Sequence, residues 1–251
     1  MTNDAVVPQA GPTRPDGRVA QDLRPVRMLP HFVPSAHGSV LMEIGQTRVI
    51  CTASVEEGVP GWRRGAGAGW VTAEYGMLPA STHERRSRDV SKGKLDGRSS
   101  EIQRLIGRSL RAVVDMEALG ERTIWLDCDV LTADGGTRCA SICGAYVALE
   151  IAVRGLMSSG ALAQNPITHQ IAAVSVGIVD GQCRLDLNYA EDSHAHADMN
   201  VVVNGAGELI EVQATAEGAS FTRGQLDQLL DLAFSGTTSL MQVQTKTLAE
   251  L

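Results

Sequence analysis

The chain has 251 residues, 43% of them hydrophobic, and a formal net charge of −7, a length and apolar content that can bury a sizeable core. It shows no basic start followed by an apolar run and no stretch of about 18 apolar residues, which argues against secretion, a membrane span or a membrane partner and predicts a cytoplasmic protein. Five cysteines, Cys51, Cys128, Cys139, Cys143 and Cys183, form no CxxC pair, and their odd number suits reduced core thiols better than a disulfide framework.

Residues 1–12, with Pro8, Gly11 and Pro12 and no apolar periodicity, read as a flexible tail. Residues 39–44 and 47–55 flank Gly45-Gln46 as the strands of a hairpin. Gly65-Ala66-Gly67-Ala68-Gly69 has no following Lys-Ser/Thr and opens no helix pattern, so it reads as a loop and not as a nucleotide-binding turn. Trp62, Arg63 and Arg64 before it are weak candidates for stacking on RNA bases.

Cations gather next. Between His83 and Arg111 lie Arg85, Arg86, Arg88, Lys92, Lys94, Arg98, Arg104, Arg108 and Arg111 against four acids. Residues 1–138 carry 18 Lys and Arg against 17 Asp and Glu, whereas residues 139–251 carry 4 against 12. Such a patch can hold a phosphodiester backbone despite a negative total; the plainer alternative is a solvated basic loop followed by an amphipathic helix. That helix, residues 99–116, sets Ile102, Ile106, Leu110 and Val113 on one face and Arg104, Arg108 and Arg111 on another.

A strand over 123–131 alternates Ile124, Leu126 and Val130 with Asp127 and Asp129, and an Ala/Leu/Val-rich helix follows over 137–157. Between them Asp134-Gly135-Gly136-Thr137-Arg138 has the form of an anion-binding turn: glycines admit a ligand to the backbone, the first N–H groups of the helix point at it, and Arg138 adds charged donors. An ordinary Gly-rich turn with a solvated arginine is the competing account. Two further hairpins, 171–179 with 182–189 and 199–203 with 208–215, turn at Asp180-Gly181 and Asn204-Gly205. Residues 222–248 form the closing helix, so the second half repeats hairpin, strand and helix in the manner of the first.

Five motifs occur in one order: Thr72-Ala73-Glu74-Tyr75-Gly76-Met77-Leu78-Pro79; Ser91-Lys92-Gly93-Lys94 with Gly97-Arg98; Glu101 through Arg108; Leu126 through Arg138; and Asp192-Ser193 with Asp198-Met199-Asn200. Together they resemble the ribonuclease PH family, phosphate-dependent 3′ to 5′ exoribonucleases that trim tRNA precursors. The resemblance covers residue 13 to the C-terminus and implies a single catalytic domain over 13–251. It implies an α+β fold of the ribonuclease PH type, two pseudo-repeated halves of β-sheet plus helix packed as one compact unit. A homohexamer built as a trimer of dimers is implied as well.

The acidic half supplies the second pole of charge. Asp186, Asp192 and Asp198 lie near one strand-to-strand connection, and clustered carboxylates facing phosphate suit Mg²⁺, with Mn²⁺ possible. By resemblance Asp192 and Asp198 are the active-site carboxylates and metal ligands, Asp198 also a candidate proton donor to the departing 3′-oxygen; Asp186 reads equally well as a turn-closing residue. If residues 192–198 were extended, Asp192, His194, His196 and Asp198 would share a face and suit Zn²⁺ or Mn²⁺, although solvated loop histidines are the better expectation. Cys139 and Cys143 stand where the family commonly carries threonine.

The resulting expectation is phosphorolysis. Inorganic phosphate, held by Arg98, Gly136, Thr137 and Arg138, attacks the last phosphodiester of an RNA 3′ end, releases a nucleoside diphosphate and leaves the RNA shorter by one, with nucleotide addition as the reverse. Arg85, Arg86, Arg88, Lys92 and Lys94 are the expected RNA contacts. A catalytically silent, ring-forming RNA-binding subunit and a hydrolytic metal-dependent nuclease are the alternatives.

Overall fold

In the computed structural model, which describes residues 14–88, 91, 93, 96–217 and 220–251, the hairpin registers follow the sequence pattern closely. Strands β1 (Val26–Pro30), β2 (Gly38–Ile44), β3 (Thr47–Glu57), β4 (Trp70–Met77) and β5 (Arg122–Thr132) form a first sheet in the order β1-β2-β3-β5-β4. Every neighbour is antiparallel except β4 and β5, which run parallel and are linked by the crossover helix α1 (Gly97–Arg111) and the short α2 (Met116–Leu119). Strands β6 (Ile171–Val179), β7 (Gln182–Leu185), β8 (Ala197–Asn204) and β9 (Leu209–Ala216) form a second, wholly antiparallel sheet in the order β7-β6-β8-β9. Among the described residues, parallel strand pairing is thus confined to the first half. The predicted tail, residues 1–12, and Lys92 and Lys94 lie outside the described residues.

Helix α3 (Thr137–Ser158) fills the space between the sheets and is buried on every side from Cys139 to Val153. By length and mean hydropathy, 1.5, it is apolar enough to cross a bilayer, a property the sequence pattern had not predicted. Yet 83% of that window is inside the protein, so its apolar surface is satisfied by strands and not by lipid. The core packs Val49, Cys51 and Ala53 of β3 and Ile124, Leu126, Cys128 and Val130 of β5 with α3 and the fully buried β6. Helix α5 (Arg223–Ala249) covers the far side of β6 and β7, its start fixed by a reciprocal Thr222–Gln225 capping box.

Local chemistry moved three predicted boundaries. The helix over 99–116 ends at Arg111, because the Asp115 carboxylate accepts the Glu117 and Ala118 N–H groups and caps a new turn. The third hairpin needs more than Asn204-Gly205: Asn204 Oδ1 accepts from Ala206 and Glu208, and Gly207 takes the left-handed conformation. Strand β7 stops at Leu185 because Asp186 turns left-handed at φ 52°, after which Tyr189–Asp192 winds into helix α4.

Candidate active site

The turn between β5 and α3 is built on two consecutive left-handed glycines, Gly135 (φ 77°) and Gly136 (φ 68°). A Cβ on Gly135 would stand 2.5 Å from Leu187 O, so the turn is pressed against the chain leading into α4. Hydrogen bonds weld these loops together. Thr47 Oγ1 donates to Gly135 O (2.7 Å) and accepts from Asp134 N (3.0 Å), while Asp134 Oδ1 accepts from Tyr189 N (3.2 Å) at the start of α4.

Beneath both loops runs a buried ionic network. Arg24 donates to both carboxylate oxygens of Asp186 (2.9 and 2.7 Å) and to the Asp134 and Gly135 carbonyls. Arg14 donates through Nε and Nη2 to Glu191 (2.7 and 2.6 Å) and also to the Leu185 and Asp186 carbonyls. Arg184 donates to Glu191 as well, at 3.2 Å. Burial would raise the Glu191 carboxyl, but the hydrogen bonds and charge of Arg14 hold it below the usual carboxylate range. Glu191 also closes a capping box with Asn188, so the turn that ends in Asp192 is fixed from both sides. Asp186 is therefore the turn-closing residue of the two readings the sequence left open.

Arg98, Gly136, Thr137, Arg138, Asp192 and Asp198 line one small cavity of about 60 Å³ together with Ser175 and Asn200. That is several times the roughly 10–15 Å³ a cavity needs to hold one water, which leaves room for a small polyatomic ion. Arg98 comes from the first turn of α1, Arg138 from that of α3, Asp192 from the end of α4 and Asp198 from β8. Desolvation and the Asp198 carboxylate push Asp192 up, while Arg98 and Arg138 pull it partway back. Arg138 also donates to Gln213 Oε1 (2.9 Å) and lies 3.4 Å from Glu101. The Thr137 hydroxyl is taken by Tyr75 (2.9 Å).

A wider cavity of about 640 Å³ opens above the same Arg98, Gly136, Thr137 and Asp192, walled by Arg85, Arg86 and the exposed Tyr189. Arg86 pairs loosely with Asp96 at 3.7 Å. Arg88 lines an adjoining cavity with Glu74, Asp127 and Asp129, which shares Met77 and Arg86 with this one. On α1, Arg108 is tied to Glu211 of β9 and Arg111 lies 4.4 Å from the Trp70 ring, so only Arg104 of that predicted face stays unengaged among the described residues.

The extended, four-ligand reading of residues 192–198 is overturned: α4 and a following turn separate Asp192 from β8, and His194 and His196 are exposed. Among the described residues no group of three or more His, Cys, Asp or Glu side chains forms a metal cage. Cys139 and Cys143 reach Asn200 Oδ1 and Ala173 O, both at 3.3 Å, and so pack α3 on the second sheet; burial pushes the Cys143 thiol up to about 12. In the Gly65–Gly69 segment, the Gly65 and Gly67 N–H groups point at Glu121, which fits a loop and no phosphate. Sequence reasoning missed Arg14, Arg24, Glu191, Tyr75 and Ser175. Of these, only the Asn188-to-Glu191 spacing carried a local signal, that of a helix cap.

Residues 22–154 match the model of domain 1 of the 3′ exoribonuclease family, and residues 169–236 match its domain 2. The ribonuclease PH of Nocardia farcinica is 59% identical over 94% of this chain and 92% of its own length. That of Moorella thermoacetica is 56% identical over 95% of both chains. Among solved structures, an Archaeoglobus fulgidus exosome with RNA bound to the active site superposes with a TM-score of 0.76 over 91% of both chains at 21% identity. An archaeal exosome core does so at 0.72, covering 92% of this chain and 90% of that one at 21% identity, a likeness of fold.

Proposed function

The chain belongs to the 3′ exoribonuclease family, and from that premise we infer that it is a phosphorolytic 3′ to 5′ exoribonuclease, a nucleotidyltransferase of tRNA processing that uses inorganic phosphate as co-substrate. The observation that carries the reading is the meeting of two arginines, a helix N-terminus and two aspartates in one cavity of about 60 Å³. A cation pair facing a carboxylate pair suits a reaction in which an anion attacks an anion.

Phosphate sits on Arg98, Arg138 and the Gly136-Thr137 backbone, where the helix dipole and charged donors offset its charge. One of its oxygens attacks the phosphorus of the last phosphodiester in line. The new P–O bond forms as the bond to the 3′-oxygen of the shortened RNA breaks, and the products are a nucleoside diphosphate and RNA shorter by one. The proton taken up by the 3′-oxygen comes from Asp198, which lines the same cavity as the phosphate donors. Mg²⁺, or Mn²⁺ in its place, fits Asp192 and Asp198, because the set is oxygen-only and offers the one or two carboxylates Mg²⁺ takes beside water and phosphate; there it would supply charge neutralisation at the transferred group.

The RNA strand enters through the wider cavity along Arg85 and Arg86, with Lys92 and Lys94 as further contacts and Tyr189 offering a ring face to a base. Residues 13–251 act as one catalytic domain, assembled as a homohexamer of three dimers in the cytoplasm, trimming tRNA precursors and other RNA 3′ ends. The test is an RNA digest with and without inorganic phosphate. Nucleoside diphosphates that appear only with phosphate are expected; nucleoside monophosphates formed in its absence would establish hydrolysis instead.

A further inference from the structure

We propose that Ser175 is a ligand of the attacking phosphate, its hydroxyl donating to a phosphate oxygen from the wall of the cavity. The inference rests on the phosphorolytic reading above. Ser175 stands on β6 opposite Asn200 of β8, two residues before Gly177, which faces Asp198. Its residue is 7% exposed, and its hydroxyl has no hydrogen-bond partner among the described residues. A buried hydroxyl left in that state is costly, and native proteins supply an acceptor.

Two hydroxyls of α3 have partners inside the protein, and the nearby Asp186 carboxylate is engaged by Arg24. Thr137 Oγ1 is held by Tyr75, and Ser141 Oγ donates to Thr137 O at 2.9 Å. Ser175 Oγ lies 3.6 Å from the place where a Cβ on Gly136 would stand, so it shares a wall with the backbone of the phosphate turn. The Ser81 and Ser109 hydroxyls also lack partners among the described residues, but neither residue lines this cavity. The glycine keeps the space between strand and turn open, and the arginines make that space favourable to an anion. Thr137 then serves through its N–H, and Ser175 supplies the hydroxyl donor.

Ser175→Ala tests this, with binding of inorganic phosphate alone to the whole protein measured by calorimetry and by thermal shift. Removing a hydrogen bond to a charged acceptor should weaken phosphate about tenfold. The melting temperature without phosphate should stay level or rise, since the variant removes an unpaired buried hydroxyl. In turnover, the KM for phosphate should rise by the same factor while the KM for RNA holds. Ser175→Cys, with a weaker donor, should fall between parent and alanine variant. Unchanged phosphate affinity in both variants, with the parent binding phosphate, would overturn the role of Ser175 alone. A parent that binds no phosphate would overturn the phosphorolytic reading with it.

Discussion

The arginines of residues 14–24 and those of residues 85–98 carry the same charge in opposite environments. Arg14 and Arg24 have side chains 0% and 4% exposed, each bound by a carboxylate and by backbone carbonyls. Arg85 and Arg98 are exposed at the walls of the cavities. A buried guanidinium must have its donors matched within the protein, and its planar fork then fixes the chain segments it touches. An exposed one in a concave wall keeps its donors for a ligand. The first group therefore holds the Gly135-Gly136 turn and the Asp192 helix in place, and the second faces what enters.

The largest expected effect breaks the buried group. Arg14→Ala leaves Glu191 charged, buried and short of its bidentate partner, and should cost about 3–5 kcal/mol of stability in a denaturant titration. A cost under about 1 kcal/mol would mean that water reaches the pair. The linkage has a definite sign. Because the Glu191 pKa is lowered in the folded state, its contribution is present above the unfolded value near 4.3 and is lost as pH falls through the lower folded value, so parent and variant should converge in acid.

Next come the aspartates. Asp192→Asn and Asp198→Asn should each reduce single-turnover release of nucleoside diphosphate on the order of a hundredfold or more, with the denaturation midpoint nearly unchanged. His194→Ala and His196→Ala, on an exposed turn, should leave both near the parent values. A collapse of the histidine variants would restore a histidine-bound metal.

Arg98→Ala and Arg138→Ala should raise the KM for phosphate about tenfold or more, the effect expected of removing a charge-assisted hydrogen bond. Arg98 also pulls Asp192 downward, so in its variant the limb of the pH–rate profile that reports Asp192 should move to higher pH. Unmoved phosphate kinetics in both variants would place the anion elsewhere.

The smallest effect is on RNA binding. Every cation withdrawn from a single-stranded phosphate backbone lowers the salt slope by about 0.7, so Arg85→Ala should flatten it visibly and Arg86→Ala less, given its pairing with Asp96. Arg88→Ala should change the slope least of the three, because that residue lines the adjoining cavity beside Glu74, Asp127 and Asp129. Equal slopes in all three variants would make the loop a solvated one.

Alternation and turn chemistry sufficed for most of the framework. The hairpin at Gly45, the turn at Asp180-Gly181, the helix after Thr137 and the closing helix needed only local patterns, since period and glycine placement act within a few residues. The Gly135-Gly136 turn and the two aspartates proposed for the site were legible as motifs, each short enough to be written in a few neighbouring residues. What the sequence could not contain was the partner of each buried charge: Arg14 meets Glu191 across 177 positions and Arg24 meets Asp186 across 162. Nor could spacing show that Asp186 would turn left-handed, that Asp192 would end a helix and not join an extended run with His194 and His196, or that Arg88 would line a different cavity from Arg85. Those outcomes follow from packing two sheets against one helix. Burial then decides which polar groups must find partners inside the fold and which, like the Ser175 hydroxyl, stay open to a ligand.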